Sequence, residues 1–272
     1  SIIRFGKFSN YLKFFYFFII GFQKKWRRAL FLDLLINDIH LSLIKKNKVN
    51  FSTIFFNGLA HIQHHYFLNS IAIKNEFKNP TWYIKENLDP FEEALVVYDK
   101  IIGDYLDIND YDLILATGLR QVAYDRVKFY YRLKDHKTFL KKINIVYKSV
   151  EPRMTGDFLI TFESLKSAQV AQNILSNLLT KDSEQIFSLI DNRGLSLFIT
   201  LTYDKEIKKE SILQNTASLI DLFNYVDFVG IKNGKHDEKG YLYYRGNIKK
   251  FLPDNNKHVK EIFNSINSYF SN

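Results

Sequence analysis

The sequence predicts an α/β chain: a mainly parallel sheet flanked by helices, carrying a small α+β insertion. Three observations lead there. Strand-like and helix-like segments follow one another with long connections, as parallel strands require. The short run Asp112–Ala116, DLILA, has the unbroken hydrophobicity of a strand buried on both faces. From about residue 127 the pattern changes to alternating strands joined by a tight turn, which is the signature of an antiparallel sheet. The expected division is residues 1–126 as the core part with N-terminal helices, 127–205 as the insertion, and 206–272 as the return to the core with a C-terminal helix.

The elements follow in order. Residues 11–22, YLKFFYFFIIGF, form an apolar helix that is too short to span a bilayer and carries Lys13. No signal-peptide cleavage pattern follows it, so a cytoplasmic location is the expectation. Residues 24–46 place Leu30, Leu34, Leu35, Ile39 and Leu43 at helical spacing, with Asp33 and Asp38 on the polar side and His40 on the surface. Phe51–Phe56 reads as a strand broken by Asn57-Gly58. Residues 90–106 read as a helix, with Pro90 in its first turn and Glu92 and Glu93 at its positive end. Its expected buried stripe is Leu95, Tyr98, Ile101, Ile102 and Leu106.

In the insertion, 127–133 and 157–162 are strands and 134–143 is a short helix. Residues 164–179 form a helix capped by Ser164. The strands 186–190 and 195–202 are joined by a hairpin turn at 191–194, and Arg132, Arg153 and Asp157 could line the mouth of this module. A helix over 211–225, a strand over 225–231, a Gly-rich loop over 233–248 and a helix over 257–270 complete the chain.

Composition narrows the chemistry. The 272 residues are 46% hydrophobic and 16% aromatic, which fits a packed chain and excludes a disordered one. There is no cysteine, so no disulfide framework exists and any metal must sit on imidazole, carboxylate or amide oxygen. The net charge of +9 favours anionic ligands such as phosphate esters, and no nucleic-acid-binding signature accompanies it.

Three of the seven histidines lie within five residues, at His61, His64 and His65. On a helix His61 shares a face with His64 and with His65, so two imidazoles could meet one metal ion or one phosphate. Asn57 stands one turn earlier and could add an oxygen donor. Thr117 and Arg120, in ATGLRQ at the carboxyl end of the DLILA strand, could hold an anion. His236 lies in a loop with glycines at 234, 240 and 246. Both segments follow strands of the same expected parallel sheet and should sit at its carboxyl edge, so His61 or His64 is expected within roughly 10 Å of His236, as a shared ion with ~2 Å bonds requires.

The order of these segments resembles the C-terminal part of the alkaline phosphatase superfamily, in particular the type I phosphodiesterase/nucleotide pyrophosphatase branch. The Asp-x-x-x-His motif of that branch corresponds to Asn57…His61 or to Ala60…His64. Its Ser-Asp-His-Gly strand end corresponds to the end of DLILATGL, and its Gly-x-His-x-x-x-Gly loop to Gly234–Gly240, the most specific match. The resemblance covers roughly 50–120 and 225–250. It implies a hydrolase of phosphate or related esters, with a zinc-like divalent metal on His61, His64, His236 and Asn57, and an anionic substrate at Thr117 and Arg120. The catalytic nucleophile is expected upstream of this chain.

Where the family has acidic ligands this chain has Asn57, Ala60 and Thr117, so the metal motifs are degenerate and fewer than two tightly held ions are expected. Two further classes stay open: a non-catalytic relative that binds an anionic sugar, nucleotide or protein partner, and a peripheral membrane protein using the aromatic helix beside KKWRR.

Overall fold

The computed structural model describes residues 2–22, 24–154, 156–214, 220–253 and 257–271. Its helices are α1 (Ile2–Phe5), α2 (Tyr11–Gly21), α3 (Trp26–Asn47), α4 (Gly58–Tyr66), α5 (Pro90–Leu106), α6 (His136–Lys142), α7 (Leu165–Ser176) and α8 (Glu261–Ser271). Its strands are β1 (Leu113–Thr117), β2 (Arg120–Leu133), β3 (Ser149–Pro152), β4 (Asp157–Thr161), β5 (Leu189–Asn192), β6 (Ser196–Thr200), β7 (Ile212–Leu213), β8 (Ile220–Asp221), β9 (Val226–Asp237) and β10 (Tyr241–Arg245). The chain divides into two compact units, Ser1–Asp125 with Asn233–Asn272, and Arg126–Lys232. Strands β2 and β9 pair with each other.

Among the described residues the large parallel sheet expected from the sequence is not formed. The strands form small antiparallel sheets: β1 with β10, β7 with β8, and a four-stranded sheet in the order β3-β4-β6-β5. The fold is therefore not of the alkaline phosphatase-like α/β type. Two misleading apolar runs explain the error. DLILA is not a strand covered on both faces; β1 pairs only with β10, and Leu115 and Ala116 are exposed. Phe51–Phe56 has no ladder at all, and Phe55 points to solvent. A continuous apolar run carries no period, so it cannot distinguish a buried parallel strand from an uncovered ribbon.

In the first unit, α2 to α5 enclose a core that includes Phe14, Trp26, Leu30, Leu34, Ile62 and Ile101. Helix α5 begins at Pro90, as its missing N–H allows, and Asp89 caps it by accepting from the backbone N–H groups of Phe91 and Glu92. Its buried stripe is Phe91, Ala94, Val97 and Ile101, one position earlier than the spacing suggested, so Leu95 is exposed and Tyr98 is half-buried.

Asp33 and Asp38 are not on the polar side of α3 either; both are buried. Asp38 accepts from the side-chain amide of Asn10 and the backbone N–H of Lys7. Asp33 does the capping that Asn57 does not. Its Oδ2 accepts from the Gly58 N–H at 2.8 Å and from the Tyr98 hydroxyl at 2.5 Å, and Tyr98 in turn accepts from the Leu59 N–H. One carboxylate thus ties α3, α4 and α5 together. A side chain at Gly58 would collide with it, a Cβ standing 2.4 Å from Asp33 Oδ2. Burial raises the Asp33 pKa against these hydrogen bonds, and burial with the neighbouring carboxylate raises that of the Tyr98 hydroxyl.

The second unit packs α6 and α7 with the four-stranded sheet around Phe139, Phe158, Ile160, Leu197 and Ile199. Strand β4 alternates as the sequence indicated, with Phe158 opposite Ile199 and Ile160 opposite Leu197. Ser164 caps α7 by accepting from the Ser167 N–H. Gly194 takes a positive φ of 81° in the β5–β6 turn, which glycine adopts freely. The helix expected over 211–225 is not formed at its ends, where β7, β8 and a 3₁₀ turn at Leu222–Asn224 stand; residues 215–219 lie outside the described residues. Arg153 pairs with Glu151, Arg132 is exposed on β2, and Asp157 sits in β4 opposite Thr200. Among the described residues no helix is long and apolar enough to cross a membrane.

The strongest ion pair in the helical core is Arg27–Glu93. The guanidinium donates through Nε at 2.7 Å and through an Nη at 2.6 Å to the two carboxylate oxygens, and Trp26 Nε1 adds a third bond. Burial would raise the Glu93 pKa, but the hydrogen bonds from Arg27 and Trp26 outweigh it and hold the carboxyl below its ordinary value of 4.5. A depressed folded-state pKa adds stability that is present above the unfolded value and is lost as pH falls through the folded one. Replacing Glu93 with Ala strands a buried guanidinium and should cost about 3–5 kcal/mol at neutral pH. Urea denaturation of the wild type and Glu93→Gln should show their stability gap closing below about pH 4.5, the ordinary value for this carboxyl. A gap constant through that range would mean the pair adds nothing.

Candidate functional site: a histidine pair on an amide lock

The site begins with glycine. At Gly234 a side chain would meet Gln121 Oε1 at 2.4 Å and the Gln63 carbonyl at 2.8 Å, so only glycine lets β9 run this close to α4. Beside it stands Asn233, fully buried. Its Oδ1 accepts from the Leu68 N–H at 2.9 Å and from Asn79 Nδ2 at 2.7 Å, and its Nδ2 donates back to Asn79 Oδ1 at 2.9 Å. Asn69 Oδ1 holds Asn79 from the other side through the Asn79 N–H and Nδ2. Gln121 also fastens this edge, donating to the Ala60 carbonyl at 3.0 Å. The amide lock joins β9 to the segment just after α4.

This docking brings two histidines together across 172 positions. His64 Nε2 lies 3.2 Å from His236 Nε2, and the ring centroids are 5.0 Å apart. The other nitrogen of His64, Nδ1, is 2.9 Å from the Gly234 carbonyl. A carbonyl only accepts, so His64 Nδ1 carries the proton and its Nε2 presents a lone pair toward His236. Without a ligand, His236 Nε2–H donates to that lone pair. His236 sits at the end of strand β9 and is exposed; most of the Gly-rich segment is not an open loop but the end of β9 and the whole of β10, which pair with β2 and β1 respectively.

His61 does not join this pair face to face. It is exposed on α4, with its ring centroid 4.8 Å from that of His65. Packing of protein around the ring, and then repulsion from His64, lower its pKa. Asn57 precedes α4 with its side chain exposed and makes no side-chain cap. Thr117 Oγ1 accepts from the Tyr241 N–H at 2.9 Å, and Arg120 donates to Asp237 at 2.5 Å and to the Tyr241 hydroxyl at 3.4 Å. Both expected anion contacts thus hold the β1–β10 ribbon and the end of β9. His40 is also engaged, between the Tyr105 hydroxyl at 2.7 Å and the Ser52 hydroxyl at 2.6 Å.

Among the described residues no three His, Cys, Asp or Glu side chains are placed to hold a metal ion. The His64–His236 pair nonetheless fits two positions of one: nitrogens on a tetrahedral zinc at about 2.0–2.1 Å lie roughly 3.3 Å apart. The bond from His64 Nδ1–H to a carbonyl is the outer hydrogen bond that orients a metal-bound imidazole. Sequence spacing found both histidines. It missed Asn233 and Asn79; the signal was Asn233 beside a strand glycine, and Asn79, before Pro80, carried none. Comparison with protein-family models, with curated proteins and with solved structures finds no match for this chain.

The lock predicts a coupled effect. Asn233→Ala removes the partner of the Leu68 N–H and of Asn79 Oδ1, while Asn79 Nδ2 keeps its bond to Asn69, at about 1–3 kcal/mol per unsatisfied group. In urea denaturation, Asn79→Ala with Asn233→Ala should cost less than the sum of the single changes, by about 0.5–3 kcal/mol. Strict additivity would show that the two amides do not act as a unit.

Proposed function

We propose that the chain acts on phosphate or related esters at a divalent-metal centre in which His64 and His236 supply two imidazole ligands. The observation that carries this reading is their 3.2 Å approach through Nε2, with the His64 ring fixed by the Gly234 carbonyl. The same two histidines occupy the positions that the resemblance to the phosphodiesterase motifs assigns to metal, although the fold expected with those motifs is absent. A divalent ion held there would supply Lewis-acid polarisation of a phosphoryl oxygen. The chain's own part would be to present His64 Nε2, with the Nδ1 proton of that ring donated to the Gly234 carbonyl, and to present His236 Nε2 once its proton has moved to Nδ1. Water or the ester's own oxygens would have to supply the remaining ligands. The excess of Lys and Arg, +9 overall, favours approach of an anionic ester.

A second reading has its own support. Arg120 is paired with Asp237, which it holds below the usual carboxylate range, so the carboxylate next to His236 in sequence is already engaged by a cation. That arrangement favours binding of an anionic sugar, nucleotide or protein partner without turnover.

Equilibrium dialysis with zinc, followed by assay on an aryl phosphodiester, tests both. The wild type should retain fewer than two ions per chain, and His236→Ala and His64→Ala should each lose the saturable ion while His40→Ala keeps it. Zinc- and His236-dependent turnover, however slow, supports the ester-cleaving reading; zinc binding with none supports the binding reading. No saturable zinc, or zinc retained by both alanine variants, overturns the metal centre.

A further inference from the structure

Helix α2 has the composition of a buried helix and the exposure of a surface one. From Phe14 to Phe22 every residue is apolar or aromatic, FFYFFIIGF. Phe14, Phe17 and Gly21 face the core of the first unit. The remaining arc is uncovered: Leu12 is 84% exposed, Phe15 and Phe22 each 66%, and Phe18 and Ile19 about half or more, while Phe8 just before the helix is 88% exposed. These six residues recur at three- and four-residue steps and form one stripe along the helix. A helix apolar all round belongs in a core or in lipid, and a stretch of this length fits an interfacial segment better than a span.

Charge beside the stripe identifies what covers it. Residues 1–32 contain seven basic and no acidic residues, and of the seven Lys7 and Arg27 are paired with Asp104 and Glu93. Lys13 lies on the helix itself, and Lys24, Lys25 and Arg28 follow its end. Arg28 donates to the Gly21 carbonyl at 3.0 Å, and its guanidinium carbon is 5.5 Å from the centre of the Phe22 ring, so a cation is fixed at the very edge of the apolar stripe. Aromatic and aliphatic side chains flanked by Lys and Arg match the boundary between acyl chains and anionic headgroups. A protein partner would instead need acidic groups set around an apolar groove.

We propose that α2 lies flat on an anionic membrane surface, with Phe15, Phe18, Ile19 and Phe22 entering the headgroup–acyl boundary and Lys13, Lys24, Lys25 and Arg28 contacting lipid phosphate or carboxylate. This docking is independent of the histidine pair. It would hold the chain at a surface rather than across a bilayer.

Co-sedimentation of the full chain with vesicles tests it. Binding should appear with phosphatidylcholine vesicles containing phosphatidylserine, weaken as salt rises, and be at least roughly ten-fold weaker with phosphatidylcholine alone. Lys24→Glu with Lys25→Glu should weaken anionic-vesicle binding by roughly ten-fold or more. Phe15→Ser with Phe22→Ser, both at exposed positions, should abolish it while the helical circular dichroism is kept; Phe8→Ser alone, at the end of the stripe, should reduce it only in part. Equal binding to both vesicle types, no binding, or binding that survives the paired serine changes overturns the proposal. Light scattering that shows self-association removed by the same serines, without vesicle binding, assigns the face to a second copy of the chain and also overturns it.

Discussion

The reciprocal pair of buried amides, Asn79 and Asn233, is the constraint on which the candidate site depends. A buried amide is costly unless its donors and acceptors are matched, and each of these completes the other. That requirement fixes the register at which β9 meets the segment after α4. Gly234 then has room to pass α4, its carbonyl reaches His64 Nδ1, and His236, two residues on, meets His64 Nε2. Residues 154 to 172 positions apart are thereby ordered by a few hydrogen bonds whose removal leaves unsatisfied groups. Apolar packing of α2 to α5 supplies the unit's bulk; the amides supply its specificity at this edge.

Electrostatics inside the helical core follow the same rule. Asp33, Asp38 and Glu93 come from sequence positions that look solvent-facing, yet each is matched with N–H, O–H or guanidinium donors. Asp33 is the sharpest case, since its carboxylate replaces the local cap that Asn57 fails to make and connects three helices through one oxygen. The position of α4, and so of His64, rests on that connection as well as on the amide lock.

What the sequence revealed depends on whether the signal was local. Pro90 with two glutamates marked the start of α5, Ser164 marked α7, and the alternation of DFLIT marked β4, because capping and period-two patterning are properties of neighbouring residues. The sheet was misread because strand pairing is not local. DLILA and FSTIFF are equally apolar, but one pairs with β10 as an uncovered ribbon and the other pairs with nothing. The His64–His236 approach was expected, but from a shared parallel sheet that does not form, and nothing local marked where His61 and Asn57 would face. Facing on α4 puts His61 beside His65 instead.

The central claim is the orientation of two imidazoles, and nitrogen-resolved NMR of the histidine side chains reads it directly. At neutral pH without metal, His64 should show the tautomer protonated at Nδ1, with a bare Nε2, and His236 the one protonated at Nε2. Added zinc should shift both Nε2 resonances together and leave His40 unchanged. A His64 protonated at Nε2, or zinc that perturbs other histidines and leaves this pair untouched, would contradict it.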